Sequence, residues 1–90
     1  MRLIRTDRFK RDYRKLPVRI QRQADKKLRY LVENIAHPSL RVRRVHRCEH
    51  VFEGSITKDY RLLFQITTDE YILLRIGKHD ILNTSGRRPC

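Results

Sequence analysis

The chain has 90 residues, which is the size of one small domain with one modest hydrophobic core. Lysine and arginine number 22 against 10 acidic residues, and the resulting net charge of +12 favours polyanionic partners, above all nucleic acid. No apolar run approaches the roughly 20 residues of a membrane span, and the basic N-terminus is unlike a secretory signal. We therefore expect a single cytoplasmic domain over residues 1–90 that has no membrane partner.

The N-terminal part predicts one short strand, "MRLIR", and two helices. Thr6 or Asp7 can cap a first helix over "TDRFKRDYRKL", in which the apolar residues recur at helical spacing. Pro17 interrupts this helix and suits the first turn of a second one, predicted over residues 17–35. The apolar stripe of the second helix consists of Ile20, Ala24, Leu28, Leu31 and Ile35.

From residue 40 the hydrophobic period changes to two, which predicts strands. They are "LRVRRV", "VFEGSI", "YRLLFQIT" and "YILLRIG", separated by turns at "HRCEH", "TKD" and "TDE". This order predicts an α+β domain in which an N-terminal strand and a helical hairpin pack on a small antiparallel β-sheet.

Strand alternation predicts which side chains the helices cover. The covered face would hold Phe52, Ile56, Leu62, Phe64, Ile66, Ile72, Leu74 and Ile76. The opposite face would hold Glu53, Ser55, Arg61, Gln65 and Arg75, with His79 close to it. Leu63, Tyr71 and Leu73 would share that opposite face as an apolar patch suited to a partner.

The two cysteines, Cys48 and Cys90, are too few and too far apart for a disulfide framework, so we expect free thiols. His46, Cys48 and His50 alternate, and on a strand they could hold a soft metal ion. No fourth ligand is evident and the stretch is typical of a turn, so no metal site is predicted.

Four successive segments, which together span nearly the whole chain, resemble the RelE/ParE superfamily of toxins from toxin–antitoxin modules. They are "FKRDYRKLP", "IQRQADKKLRYLVENIAHPSLRVRRV", "EGSITKDYRLLFQI" and "LLRIGKHDIL". Many members of that superfamily cut mRNA in the ribosomal A site, and a ParE-like branch poisons DNA gyrase. The resemblance implies a ribosome-dependent mRNA endonuclease without a cofactor, whose partners are mRNA, the ribosome and a cognate antitoxin. The alternative is a ParE-like or degenerate member that inhibits gyrase or only binds an antitoxin.

The ending "IGKHDIL" is similar to that of YafQ-type toxins, and the similarity implies that His79 is catalytic. Asp59 matches a functional aspartate of YafQ-like toxins, and Arg61 matches the phosphate-binding arginine of RelE- and YoeB-like toxins. Ser55 departs from this pattern, because YafQ-like toxins carry a histidine there. The candidate catalytic set is thus a mixture of the patterns of several branches.

Metal-free cleavage of RNA needs a base for the 2′-hydroxyl, cations around the phosphate and an acid for the leaving 5′-oxygen. His79 is the candidate acid or base, and Asp80 either orients it or caps the turn. Arg61 is the candidate phosphate clamp. Asp59 could transfer the second proton, could hold Arg61 or could be a plain turn residue. Secondary phosphate contacts are predicted for Arg43, Arg44, Lys58, Arg75 and Lys78.

Plainer interpretations stand beside these. His79 could be a solvated residue at a strand end, and the arginines of residues 41–47 could protect an edge strand from aggregation. Glu53 is predicted to be a salt-bridge partner. The whole chain could also be a basic nucleic-acid-binding module without catalysis.

Overall fold

The computed structural model describes residues 1–45 and 50–79. Its helices are α1 (Asp7–Arg14), α2 (Val18–Glu33) and a short 3-10 helix at Pro38–Leu40. Its strands are β1 (Arg2–Arg5), β2 (Arg43–Arg44), β3 (Val51–Ser55), β4 (Tyr60–Ile66) and β5 (Glu70–Lys78). The predicted α+β order is confirmed. Within these residues, no helix is long and apolar enough to cross a bilayer.

The five strands form one sheet in the order β1-β5-β4-β3-β2. Strands β2 to β5 pair antiparallel with their neighbours, as predicted, whereas β1 pairs in parallel with β5. Because both helices separate β1 from the other strands in the chain, no tight turn forces β1 to be antiparallel. The sheet is therefore mixed, with β1 and β2 at its edges.

The start of α1 is fixed to the sheet by one side chain. The Oγ1 atom of Thr6 accepts a hydrogen bond from the Phe9 amide at 3.2 Å, which makes Thr6 rather than Asp7 the N-cap. The same hydroxyl donates to the carbonyl of Leu73 in β5 at 2.7 Å. Pro17 was predicted in the first turn of α2, but it is the N-cap, and the helix begins one residue later at Val18.

The segment after α2 differs from the prediction, because only Arg43–Arg44 of "LRVRRV" forms a strand. His37 Nδ1 accepts from the Ser39 amide at 3.2 Å and caps the 3-10 helix. This turn buries Leu40 in the core. Arg41 then adopts a left-handed conformation with φ of 47°, so pairing with β3 begins only beyond it.

The main core lies between the helices and one face of the sheet. The predicted stripe of α2 is buried there from Ile20 to Leu31, and Phe9 of α1 joins it. The sheet contributes a set of buried residues from strands β4 and β5, namely Leu62, Phe64, Tyr71, Leu73 and Ile76.

A bulge in β5 reverses the alternation of its side chains. Leu63 pairs with Arg75 but Phe64 pairs with Leu73, so that Leu74 is an extra residue on the β5 side. Leu73 consequently lies in the main core, and Leu74 packs on the opposite face in a smaller cluster around Val51 and Leu63.

The predicted faces of four residues of β5 are therefore wrong. Ile72 and Leu74 do not belong to the main core, and Tyr71 and Leu73 do not form a patch on the opposite face. Leu63 does lie on that face, but it is buried. Alternation counted from the sequence alone cannot register an inserted residue.

Candidate active site

An open cleft of roughly 470 Å³ lies where β4 begins and β5 ends. It is lined by five residues that the sequence had singled out, Lys58, Asp59, Arg61, Lys78 and His79. Antiparallel pairing brings them together, because Tyr60 lies opposite Lys78 and Arg61 lies opposite Gly77. The pairing extends to His79, whose backbone N–H donates to the carbonyl of Asp59 at 3.1 Å.

His79 directly follows the last residue of β5 and is exposed. Its backbone position is fixed by the bond to Asp59, so the imidazole is carried by an ordered part of the sheet. An exposed imidazole in a cleft can exchange protons with solvent and reach a bound substrate. Asp80 lies outside the described residues, and its orienting role stays a prediction.

Arg61 lies beside the turn between β3 and β4, and its guanidinium has several protein partners. Nη1 donates to the backbone carbonyl of Thr57 and, at 3.1 Å, to that of Tyr60. Nε lies 3.4 Å from Oε1 of Glu53, and the Arg61 side chain is 24% exposed. The carboxylate that holds Arg61 is thus Glu53, which the sequence had marked as a salt-bridge partner.

The turn between β3 and β4 is ordered by hydroxyl groups. Ser55 Oγ donates to the carbonyl of Thr57 at 3.2 Å, and Thr57 Oγ1 accepts from the amide of Asp59 at 3.3 Å. These bonds leave Lys58 and Asp59 exposed at the cleft. Ser55 therefore has a structural role at the position where a YafQ-like toxin would carry a histidine.

Arg43 and Arg44 lie on the edge strand β2 and do not line the cleft. Arg43 is connected to it indirectly, because its Nη2 lies 3.3 Å from the same Oε1 atom of Glu53. The guanidinium of Arg44 lies 5.8 Å from the ring centroid of Phe52. Both arginines are exposed and remain able to contact a phosphate chain that extends from the cleft.

Arg75 was predicted as a phosphate contact, but the structure places it against α1. Its Nε donates to Oδ2 of Asp12 at 2.6 Å, and the same oxygen accepts from the Ile76 amide at 3.2 Å. The pair is partly buried and anchors α1 on the edge of β5 beyond the end of β1. Asp12 lies 63 residues away from Arg75 in the chain, so no local pattern could have revealed this contact.

The chemistry of the cleft follows from its lining. Three cations, Lys58, Arg61 and Lys78, surround one carboxylate and one imidazole, which is a composition suited to an anion that exchanges a proton. Among the described residues, no group of histidine, cysteine and carboxylate side chains could hold a metal ion. His46 and Cys48, considered above as ligands, lie outside those residues.

Comparisons with known proteins identify the family and the fold of the chain. A model of the family described as the ParE toxin of the type II toxin–antitoxin system parDE matches residues 3–82. Among curated proteins, a search finds no significant match.

Solved structures share the fold at low sequence identity. YafQ from E. coli strain BL21(DE3) is 13% identical with a TM-score of 0.78, over 92% of this chain and 99% of YafQ. The YoeB/ParE toxin from Agrobacterium tumefaciens is 13% identical with a TM-score of 0.75, over 88% of this chain and 99% of that toxin. A chain of the archaeal RelE–RelB complex from Pyrococcus horikoshii OT3 is 12% identical with a TM-score of 0.71, over 86% and 92% of the two chains.

The family match covers residues 3–82, and the three solved structures share the fold over 86–92% of the chain. The chain therefore belongs to the family of ParE toxins of type II toxin–antitoxin systems, within the RelE/ParE superfamily.

Proposed function

We propose that this toxin is a ribosome-dependent mRNA endonuclease that cleaves without a metal ion. The observation that carries the proposal is the cleft in which His79, Asp59 and Arg61 lie together with two lysines. This set combines proton-transfer groups with fixed cations, and both are needed for attack of a 2′-hydroxyl on the adjacent phosphate.

Each lining residue has a role in this reaction. Arg61 binds the scissile phosphate, and Lys58 and Lys78 stabilise the charge that develops on its oxygens. Proton transfer is assigned to Asp59 and His79, one with the attacking 2′-oxygen and the other with the leaving 5′-oxygen. Imidazole can both accept and donate a proton through its ring nitrogens, which suits His79 to either task.

The proposed partners are the ribosome with its mRNA and a cognate antitoxin. The family is named for a toxin–antitoxin system, and the RelE relative was solved as a complex with RelB. A net charge of +12 would favour association both with RNA and with an acidic protein.

The direct test is incubation of the purified protein with mRNA on programmed ribosomes. We expect a cut that leaves a 2′,3′-cyclic phosphate and a 5′-hydroxyl. A substrate with a single 2′-deoxy nucleotide at the cut position should resist cleavage there, because the nucleophile is missing. Intact mRNA after incubation, or cleavage that ignores the 2′-deoxy substitution, would contradict the proposal.

A second candidate is inhibition of DNA gyrase without RNA cleavage. It is favoured by one observation, that the matching family is described by the ParE toxin. A supercoiling assay with purified gyrase separates the two functions. Inhibition of supercoiling by a protein that leaves ribosome-bound mRNA intact would select this candidate.

A further inference from the structure

One carboxylate, that of Glu53, is shared between two arginines on the sheet face away from the helices. Its Oε1 atom lies 3.3 Å from Arg43 Nη2 and 3.4 Å from Arg61 Nε. Arg43 is the direct cross-strand neighbour of Glu53, and Arg61 is its diagonal neighbour opposite Ser55. The side chains are 15% exposed for Glu53, 24% for Arg61 and 69% for Arg43.

Glu53 is not needed to orient Arg61. The Nη1 atom of Arg61 already donates to the carbonyls of Thr57 and Tyr60, and Ser55 holds the Thr57 carbonyl in place. The distance of 3.4 Å from Arg61 Nε to Glu53 is longer than the usual 2.7–3.2 Å of an N–H···O hydrogen bond. The carboxylate therefore places negative charge at this edge of the guanidinium and adds little to the orientation of Arg61.

The same edge is the one that a phosphate requires. Guanidinium binds phosphate best through two parallel N–H groups. With Nη1 engaged by backbone carbonyls, the remaining pair on Arg61 is Nε and Nη2. Glu53 lies at Nε, so a phosphate and the Glu53 carboxylate compete for this edge of Arg61.

We propose that Glu53 is a built-in competitor of the Arg61 phosphate clamp, and that a bound phosphate displaces it toward Arg43. The inference rests on the proposed use of Arg61 as a phosphate clamp. Arg43 offers the displaced carboxylate a partner that is already in contact. The competition makes phosphate binding selective, because a phosphate that contacts Arg61 but neither lysine is bound weakly. One that Lys58 and Lys78 also hold can displace Glu53.

The test is a titration with inorganic phosphate, followed by the ¹H–¹⁵N resonance of Arg61 Nε. Glu53→Gln keeps the shape of the side chain and removes its charge. We expect the phosphate dissociation constant at Arg61 to fall about threefold to tenfold, somewhat above the range of exposed ion pairs because the site is partly buried. Glu33→Gln, on the exposed surface of α2, is the matched control for net charge and should leave the constant unchanged.

Arg43→Gln extends the test to a double-mutant cycle. Without Arg43, the Glu53 carboxylate has only Arg61 as a partner among the residues that the structure describes, so phosphate should bind more weakly than to the wild type. In the Glu53→Gln background the same change should have little effect, which gives a coupling between the two positions. If Glu53→Gln does not fold, Glu53→Asp retracts the carboxylate and should tighten phosphate binding by a smaller factor.

Three outcomes would overturn the inference: weaker or unchanged phosphate binding in Glu53→Gln, equal effects of Arg43→Gln in both backgrounds, or no response of Arg61 Nε in any variant. The titration uses no RNA and no cleavage. If the wild type does not cut ribosome-bound mRNA but the variants show the expected phosphate constants, the proposed endonuclease activity is wrong. The competition between Glu53 and phosphate for Arg61 would still hold.

Discussion

At the scale of single residues, the Arg61 side chain is held at the cleft by several protein contacts. Two backbone carbonyls fix Nη1 of its guanidinium, and the edge formed by Nε and Nη2, where Glu53 lies, can serve a phosphate. Lysine has the same charge but a single ammonium group, which cannot satisfy the carbonyls and a phosphate together in this geometry. The planar fork of arginine is therefore expected to matter as much as its charge.

We accordingly expect Arg61→Lys to lower kcat/KM for cleavage of ribosome-bound mRNA by about 10- to 100-fold, a loss of roughly 1.4–2.8 kcal/mol of transition-state stabilisation. The variant should fold, since Arg61 lies at the edge of the cleft. Arg8→Lys, an exposed position on α1, is the control and should keep wild-type activity. Wild-type cleavage by Arg61→Lys would show that a point charge is sufficient.

At the scale of elements, the bulge in β5 decides which leucine supports the core. Leu73 is fully buried beneath the helices, whereas its neighbour Leu74 is half-buried on the other face. Leu73→Ala should cost about 2–5 kcal/mol of the free energy of unfolding, and Leu74→Ala clearly less. Urea denaturation of the two variants measures both costs. The reverse order would mean that the alternation continues unbroken through β5.

A hydrogen bond across the helical hairpin introduces a pH dependence. Tyr13 Oη of α1 donates to Asp25 Oδ1 of α2 at 2.8 Å. Burial, and after it the bond and charge of Asp25, raise the pKa of Tyr13 above the ordinary value of 10.0. The folded state thus favours the protonated phenol. This stabilisation is complete below the unfolded pKa and is lost as the pH rises through the folded pKa.

Tyr13→Phe should therefore cost about 0.5–1 kcal/mol in the free energy of unfolding at pH 8, the value of a solvent-accessible hydrogen bond. Above pH 10 the difference in free energy of unfolding between the variant and the wild type should shrink. The wild type then loses the stabilisation of its protonated phenol beside Asp25, whereas Tyr13→Phe has no phenol to ionise. Chemical denaturation at pH 8, 9 and 10.5 tests this. A difference in free energy of unfolding that stays constant across the three pH values would contradict the assignment of a proton to Tyr13 in its bond with Asp25.

Most elements could be predicted from the sequence, and the exceptions have identifiable physical causes. The helices and three strands have strong periodicity and local caps, such as Thr6 for α1. The segment around Arg41 was assigned as a strand because its alternation is good, but the turn that begins at His37 prevails over it. The bulge at Leu74 leaves no local signal, since leucine suits either face.

At the scale of the whole molecule, the proposed binding of RNA would be driven by the net charge of +12. Each phosphate contact with a single strand contributes about −0.7 to the slope of log K against log salt. Five cations in and near the cleft should give a slope near −3.5 for a short RNA with 2′-O-methyl groups, which cannot be cut. They are Lys58, Arg61, Lys78, Arg43 and Arg44.

Fluorescence anisotropy at several salt concentrations gives this slope. Lys78→Gln should make the slope less steep by about 0.7, because one phosphate contact is lost. Arg19→Gln, on the exposed side of α2, is the control and should leave the slope unchanged. Equal effects of the two substitutions would indicate that binding is spread over the surface and not focused on the cleft.

The residues that line the candidate cleft could be predicted from the sequence, but their contacts could not. Lys58, Asp59, Arg61, Lys78 and His79 were identified because family resemblance and cleavage chemistry select the same residue types. Their contacts depend on tertiary pairing, so Arg75 was assigned to phosphate although Asp12 of α1 holds it. The position of Glu53 between two arginines likewise follows from strand register, which the sequence does not specify.

The most direct test of the account compares cleavage of ribosome-bound mRNA by His79→Ala and by the wild type. The matched control is His50→Ala, because His50 is an exposed histidine in a turn. The account predicts that His79→Ala loses at least about 100-fold in cleavage rate, the value of a positioned acid or base, while it still binds the 2′-O-methyl RNA. His50→Ala should cleave normally. Cleavage by His79→Ala at the wild-type rate would contradict the central claim that His79 transfers a proton in this cleft.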